Sequence, residues 1–183
     1  MSASAPRRID PAITALRHVT GGRYSVMHRV GEGGMANVYY ALHIPLDCPV
    51  VIKVMHPHLA SESQFRSRFE MEARAIAQLE HVNILQVYDY GKEGEALYFA
   101  MELVDGADAE RLVKTNGALQ PEIVANIFYG IANGLYQAHL HNIIHRDIKL
   151  SNIIVKKDGV AKLADFGIAK MDDGGKLTQT NRI

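Results

Sequence analysis

Gly31-Glu32-Gly33-Gly34-Met35-Ala36-Asn37-Val38 has the form G-x-G-x-x-A-x-V, and its chemistry is that of a phosphate cradle. Glycines let a backbone approach phosphate oxygens closely and present N–H groups with no side chain in the way. The letters alone fit three uses: a plain turn between strands, a dinucleotide-binding fingerprint, or a hairpin loop that folds over a nucleotide. The fingerprint needs a helix directly after the loop. Val38-Tyr39-Tyr40 favours a strand there instead. A second chemistry is suggested by nine histidines, of which His139, His141 and His145 lie closest together. Zinc sites need a fourth ligand in strict geometry, so no metal is expected at this cluster, and His56-Pro57-His58 is expected to be a solvated turn.

The elements that must position the loop follow from periodicity. Residues 1–23 are small, polar and punctuated by Pro and Gly, and are expected to be a disordered leader, with Ile13, Leu16 and Val19 able to form one weak helical turn. Strands are expected over 24–30, 37–42 and 50–54, the last rich in β-branched residues. Ser61 and Gln64 fit a capping box for a helix whose buried face is Phe65, Phe69, Ala73, Ile76 and Leu79. Two more strands are expected near 85–90 and 96–102, joined by a turn at Gly91-Lys92-Glu93-Gly94. A second long helix begins at Pro121, a favoured first-turn position, with Ile123, Ile127, Ile131, Leu135 and Ala138 on one face. Lys157-Asp158-Gly159 then separates two short apolar pieces as a hairpin turn. Strands and one helix followed by a helical portion make an α+β plan with two unequal lobes, linked at 103–107.

Composition narrows the class. A chain of 183 residues can build one sizeable core, and 48% hydrophobic with 22% charged residues is ordinary for a soluble protein. Lys and Arg total 20, as do Asp and Glu, so neither nucleic acid nor an anionic membrane is indicated as a partner. Cys48 is alone, which excludes an internal disulfide and fits a reducing compartment. No apolar run approaches bilayer length and no secretory signal opens the chain. The expectation is a cytoplasmic domain, either free or as the cytoplasmic part of a membrane-anchored protein.

His145-Arg146-Asp147-Ile148-Lys149-Leu150-Ser151-Asn152, followed thirteen residues later by Asp165-Phe166-Gly167, resembles the catalytic loop H-R-D-x-K-x-x-N and the D-F-G motif of protein kinases. The wording is most similar to bacterial Hanks-type serine/threonine kinases. The fold implied is the bilobal kinase fold: a complete N-lobe of antiparallel sheet plus one helix over about 24–103, and a partial helical C-lobe over about 104–183. The activity implied is transfer of the ATP γ-phosphate to a Ser or Thr hydroxyl of a protein, with autophosphorylation of the activation loop. On this resemblance Asp147 orients the substrate hydroxyl, Lys149 sits near the transferred phosphate, and Asn152 and Asp165 ligate Mg²⁺ or Mn²⁺. Lys149 two residues after Asp147 is the serine/threonine signature.

Upstream residues acquire roles by the same resemblance. Gly31, Glu32, Gly33 and Gly34 form the loop over ATP. Val50-Val51-Ile52-Lys53 resembles V-A-I-K, so Lys53 pairs with the α/β-phosphates. Its partner is a Glu on the first helix; of Glu70, Glu72 and Glu80, Glu72 best fits the family context. Met101 is the gatekeeper, the backbone of Glu102 and Val104 meets the adenine edge, and Val38 and Val51 roof the ring above Ile154. Ordinary core packing explains these three apolar residues equally well. Arg146 is expected to clamp a phosphothreonine at Thr178 or Thr180. The departures, Ala36 for a third glycine, Val51 for Ala and Leu150 for Pro, remove no catalytic group.

The A-P-E motif and the helices that follow it do not appear before Ile183. The 183 residues alone are therefore expected to be weakly active, and the alternative is a non-catalytic fragment that binds nucleotide or a partner kinase. A kinase homodimer is a further partner left open.

Overall fold

Leu97, Phe99 and Met101 bury on one face of their strand, and Tyr98 and Ala100 on the other. Such a strand needs cover on both sides, and the rest of the small lobe supplies it. The structure is a computed structural model that describes residues 20–93 and 96–166. Five strands, β1 (Tyr24–Glu32), β2 (Ala36–His43), β3 (Cys48–Met55), β4 (Val87–Glu93) and β5 (Ala96–Glu102), form an antiparallel sheet in the order β1-β2-β3-β5-β4. On one face Tyr24, Val26, Tyr39, Ala41, Val50 and Ile52 close over Tyr98 and Ala100. On the other lies a helix.

That helix, α2 (Ser63–Ala77), follows a single turn, α1 (Pro57–Ala60). The expected face is buried: Phe65, Phe69, Ala73, Ile76 and, just past its end, Leu79. The Phe69 and Phe99 rings meet at 4.5 Å between centroids, and each buried phenylalanine contributes about 1.5–3 kcal/mol by leaving water. The capping box is not formed. Pro57 nucleates α1, whose last turn takes Ser61 as its C-cap, and the Ser61 hydroxyl donates to the His58 carbonyl. Glu62 becomes the N-cap of α2 without a side-chain bond.

The large lobe begins with β6 (Gly106–Asp108), then α3 (Ala109–Asn116), α4 (Pro121–Leu140), a 3₁₀ turn over Leu150–Asn152, β7 (Ile153–Lys156) and β8 (Ala161–Leu163). Strands β6, β7 and β8 form their own antiparallel sheet. The β7–β8 hairpin turns as expected, with Gly159 at φ 87°. Neither β6 nor α3 was foreseen; Asp108 caps α3 by accepting from the Arg111 amide at 2.8 Å. Helix α4 starts at Pro121 as expected and buries Ile127, Ile131 and Ala138. Ile123, in its first turn, is instead 48% exposed, beyond the reach of the core. Gly91, Lys92 and Glu93 belong to β4 rather than to a turn.

Residues 20–23, placed in the leader by sequence, form a tight turn with Thr20 buried, and Arg23 pairs with Asp89 at 2.7 Å. Residues 1–19 lie outside the described residues, as do Gly167, Thr178 and Thr180.

The lobes are joined by more than the 103–107 link. Residues 83–85 run beside β8: Leu163 N donates to Asn83 O at 2.8 Å, Leu85 N donates to Leu163 O at 2.9 Å, and the Asn83 amide donates to Ala161 O at 2.8 Å. Helix α4 approaches this seam at Gly134, where a Cβ would lie 2.9 Å from the Asn83 carbonyl oxygen. A glycine is required there by contact, since φ is ordinary.

Candidate functional site

His145 organises the loop between α4 and β7. It is 1% exposed, and its ring lies 4.7 Å from that of Phe166. Nδ1 accepts from the Asp147 amide at 3.2 Å, so the proton sits on Nε2, which donates to the Ala164 carbonyl at 2.9 Å. Burial holds the imidazole below the ordinary histidine value, against the opposing pull of that carbonyl and of the Asp147 and Asp165 charges. Both ring nitrogens are thereby committed, which removes His145 from any cluster with His139 and His141.

Two non-glycine residues beside this histidine adopt left-handed backbone, Arg146 at φ 61° and Asp165 at φ 57°. Each such residue costs of order 1–3 kcal/mol and persists only where neighbours over-determine it. Here the neighbours are the hydrogen bonds that converge on Asp147. Asn152 Nδ2 donates to the Asp147 carbonyl at 2.8 Å and to its carboxylate at 3.2 Å. Lys149 Nζ lies 3.0 Å from the same carboxylate. Ala164 N donates to Asn152 O at 2.8 Å, which sets Asp165 beside Asn152. Because its amide nitrogen is spent on Asp147, Asn152 can present its oxygen. With the Asp165 carboxylate this makes a small set of hard oxygen donors, which suits a hard divalent cation.

Lys53 reaches this set from the sheet, with Nζ 2.6 Å from Asp165 Oδ1. The register that delivers it pairs Val38 with Lys53 and Val51 with Met101, so the glycine loop, the lysine and the gatekeeper position lie on adjacent strands. The loop is a strand–loop–strand hairpin, with Gly31 opposite Val38 and Gly33 N donating to Ala36 O at 2.9 Å. This removes the dinucleotide fingerprint from the three uses of the motif. His56 pins the loop from below: its backbone N donates to Met35 O at 2.9 Å, and its ring Nε2 lies 2.8 Å from Gly33 O.

The protein kinase domain model matches residues 24–182. The chain belongs to the protein kinase family. It is 40% identical over 162 residues to the serine/threonine-protein kinase PrkC of Bacillus subtilis, covering 88% of this chain and 25% of PrkC. It is 37% identical over 174 residues to PknL of Mycobacterium tuberculosis, covering 95% of this chain and 43% of PknL. The crystal structure of the M. tuberculosis PknI kinase domain superposes with a TM-score of 0.71 at 34% identity, over 80% of this chain and 60% of that one. The chain thus spans under half the length of these curated relatives.

Within this kinase domain the expected residues form two adjoining groups, Asp147 with Lys149 and Asn152, and Lys53 with Asp165, related by the Ala164–Asn152 backbone bond. Glu72 stands apart from both. No ion pair joins Lys53 and Glu72 among the described residues; Glu72 meets Arg146 at 3.3 Å instead. The reason is competition. Arg146 meets Glu72 from the large lobe, and Asp165, in left-handed backbone, offers Lys53 a carboxylate at 2.6 Å. Met101 is buried, and Val51, Val104 and Ile154 pack partly buried against the same core cluster, while Val38 is half-buried on β2. Glu102 N donates to Gln86 O at 2.9 Å, so of its two backbone groups only the carbonyl remains a candidate for the adenine edge. Glu32 is engaged by Arg29 at 2.9 Å, and Gly34 is open on all sides. His56, Asn83 and Lys162, all engaged around the site, were not found by sequence reasoning. They carry no motif letter and reveal themselves only by what they touch.

Among the described residues no helix is long and apolar enough to cross a membrane.

Proposed function

We propose that this chain carries out serine/threonine protein phosphorylation, transferring the γ-phosphate of ATP to a Ser or Thr hydroxyl of a protein substrate. The observation that carries this reading is the hydrogen-bonded cluster of Asp147, Lys149 and Asn152 with the Lys53–Asp165 pair set beside it by the Ala164–Asn152 backbone bond, next to a glycine hairpin. Phosphoryl transfer asks little covalent chemistry of a protein and much positioning and charge stabilisation.

Asp147 accepts the proton of the substrate hydroxyl as its oxygen bonds to the γ-phosphorus and the bond to the ADP oxygen breaks. Asn152 and Lys149 hold the Asp147 carboxylate in place for that step. Lys149 and Lys53 supply cations where charge spreads over the phosphate oxygens. Before nucleotide arrives each lysine sits on a carboxylate, so the site holds its charges paired and exchanges partners on binding. Asn152 and Asp165 would hold the divalent cation, which would supply positive charge to neutralise the phosphates. Met101, Val51, Val38 and Ile154 enclose adenine, with the Glu102 carbonyl and the Val104 backbone at its edge. Arg146, freed from Glu72, is the group suited to a phosphothreonine, and Glu72 is then available to Lys53.

The test is radiolabel transfer from γ-labelled ATP to a generic protein substrate with Mg²⁺. Asp147→Asn is expected to lower kcat by about 10²–10⁴ with little change in ATP KM, and Lys53→Met to abolish transfer. Mg·ATP binding by the wild type without any transfer would favour the nucleotide-binding alternative instead.

A further inference from the structure

A lysine pointing into a protein interior demands an explanation, since lysine is almost never buried unless paired. Lys162, the middle residue of β8, is 8% exposed. Its Nζ lies 2.9 Å from Glu102 Oε2 and 3.4 Å from the Ile84 carbonyl. The same Glu102 oxygen accepts from the Gln86 amide at 3.3 Å, and the Glu102 amide donates back to Gln86 O at 2.9 Å. Glu102 is thus gripped by its side chain and its backbone together.

The positions of the two partners give the contact its meaning. Glu102 ends β5 in the small lobe, at the entrance to the link between lobes. Lys162 belongs to the large-lobe sheet, opposite Ile154 and three residues before Asp165. A buried ion pair yields little net stability, because desolvation offsets the attraction. What it supplies is a fixed geometry between the groups it joins.

We propose that Lys162 is a positioning residue for nucleotide binding: through Glu102 it sets the adenine-facing end of β5 against β8, which pairs with the floor residue Ile154 on β7 and leads into Asp165. This rests on the kinase reading of the site. Its effect belongs at the adenine end of the ligand. The phosphate end is held by Lys53 and the glycine loop; Glu102 meets β3 opposite Val50, three residues before Lys53.

The experiment is titration calorimetry of the wild type and of Lys162→Met, Glu102→Gln and the double variant E102Q/K162M, each with Mg·ATP, adenosine and Mg·tripolyphosphate. Removing one partner leaves a buried charge and can unfold the protein, whereas removing both restores electrical neutrality. The double variant therefore carries the decision if a single one fails to fold. It is expected to melt as cooperatively as the wild type, to bind Mg·ATP and adenosine about tenfold more weakly, the worth of roughly one lost positioning bond, and to bind tripolyphosphate unchanged. In turnover, ATP KM rises by the same factor and kcat stays within about twofold. Equal weakening of tripolyphosphate, or wild-type affinity for adenosine and ATP in the folded double variant, would overturn the inference while leaving the kinase reading intact. A wild type that binds no ATP would overturn both.

Discussion

His145 has one protonation state compatible with its neighbours. Nδ1 faces an amide N–H and must be a lone pair, while Nε2 faces a carbonyl and must carry the proton. A second proton would set N–H against N–H inside a buried loop. Its folded pKa therefore lies below that of the unfolded chain. The sign follows from linkage: between the two values the unfolded chain binds more protons, so stability falls as pH drops through that window. The contribution is fully present above about pH 6.5, the ordinary histidine value, and is lost as pH falls from there through the lowered folded value. The slope from this one group is at most about 1.4 kcal/mol per pH unit. Thermal melts between pH 5 and 8 are expected to show the wild type losing stability on acidification more steeply than His145→Gln. Equal slopes would mean that His145 titrates alike in both states. The motif letters say that a histidine stands here; its tautomer was not legible, because that depends on Ala164, nineteen residues away in sequence.

Helix α4 shows how a single hydrogen in place of a methyl group can decide where an element sits. In a free helix Gly→Ala is favourable by about 1 kcal/mol. At Gly134 the added methyl would press on a backbone oxygen at 2.9 Å that belongs to the seam and cannot rotate away. Gly134→Ala is expected to destabilise by about 1–3 kcal/mol, the usual cost of overpacking, as measured by urea unfolding. A stabilised variant would show that the seam is soft. The glycine hairpin is positioned in a looser way, by one exposed imidazole. His56→Ala removes the ring contact to Gly33 O but keeps the backbone bond to Met35 O. With one net hydrogen bond worth about 1 kcal/mol, ATP KM is expected to rise about fivefold in steady-state assays. The elements themselves were largely legible: β-branched runs gave the strands, and the Phe65–Phe69–Ala73–Ile76 stripe gave α2. What periodicity missed has a physical cause. Strand β6 and helix α3 are short, and the former is made by pairing with β7, 45 or more residues later in sequence. The Ser61–Gln64 box lost to Pro57, which started a helix one turn earlier. The Lys53–Glu72 pair is not formed in this structure, where Lys53 meets Asp165 and Glu72 meets Arg146, and the letters alone say nothing of that choice.

At the scale of the molecule, nucleotide on the proposed reading would touch both lobes: the hairpin and Lys53 from the sheet, Asn152 and Asp165 from the large lobe, and the link between. Ligand bound to the folded state alone stabilises by RT ln(1 + [L]/Kd), about 2.7 kcal/mol at a hundredfold excess over Kd. For a domain of this size that corresponds to roughly 5–10 °C in Tm. Scanning fluorimetry at that excess is expected to show this shift with Mg·ATP in a single transition. Two transitions, only one of them moving, would mean that the lobes melt apart.

The seam between residues 83–85 and β8 also sets a timetable. Asn83 and Ala161 are 78 residues apart, and at ~5–20 residues per second a ribosome needs roughly 4–16 s to travel from one to the other. Once β5 is complete every strand of the small lobe has been made, yet the Asn83 carbonyl and side-chain amide and the Leu85 N–H still lack the partners that β8 will bring. The nascent small lobe must wait with its lower edge unfinished, and its last hydrogen bonds arrive with β8, two residues before Asp165.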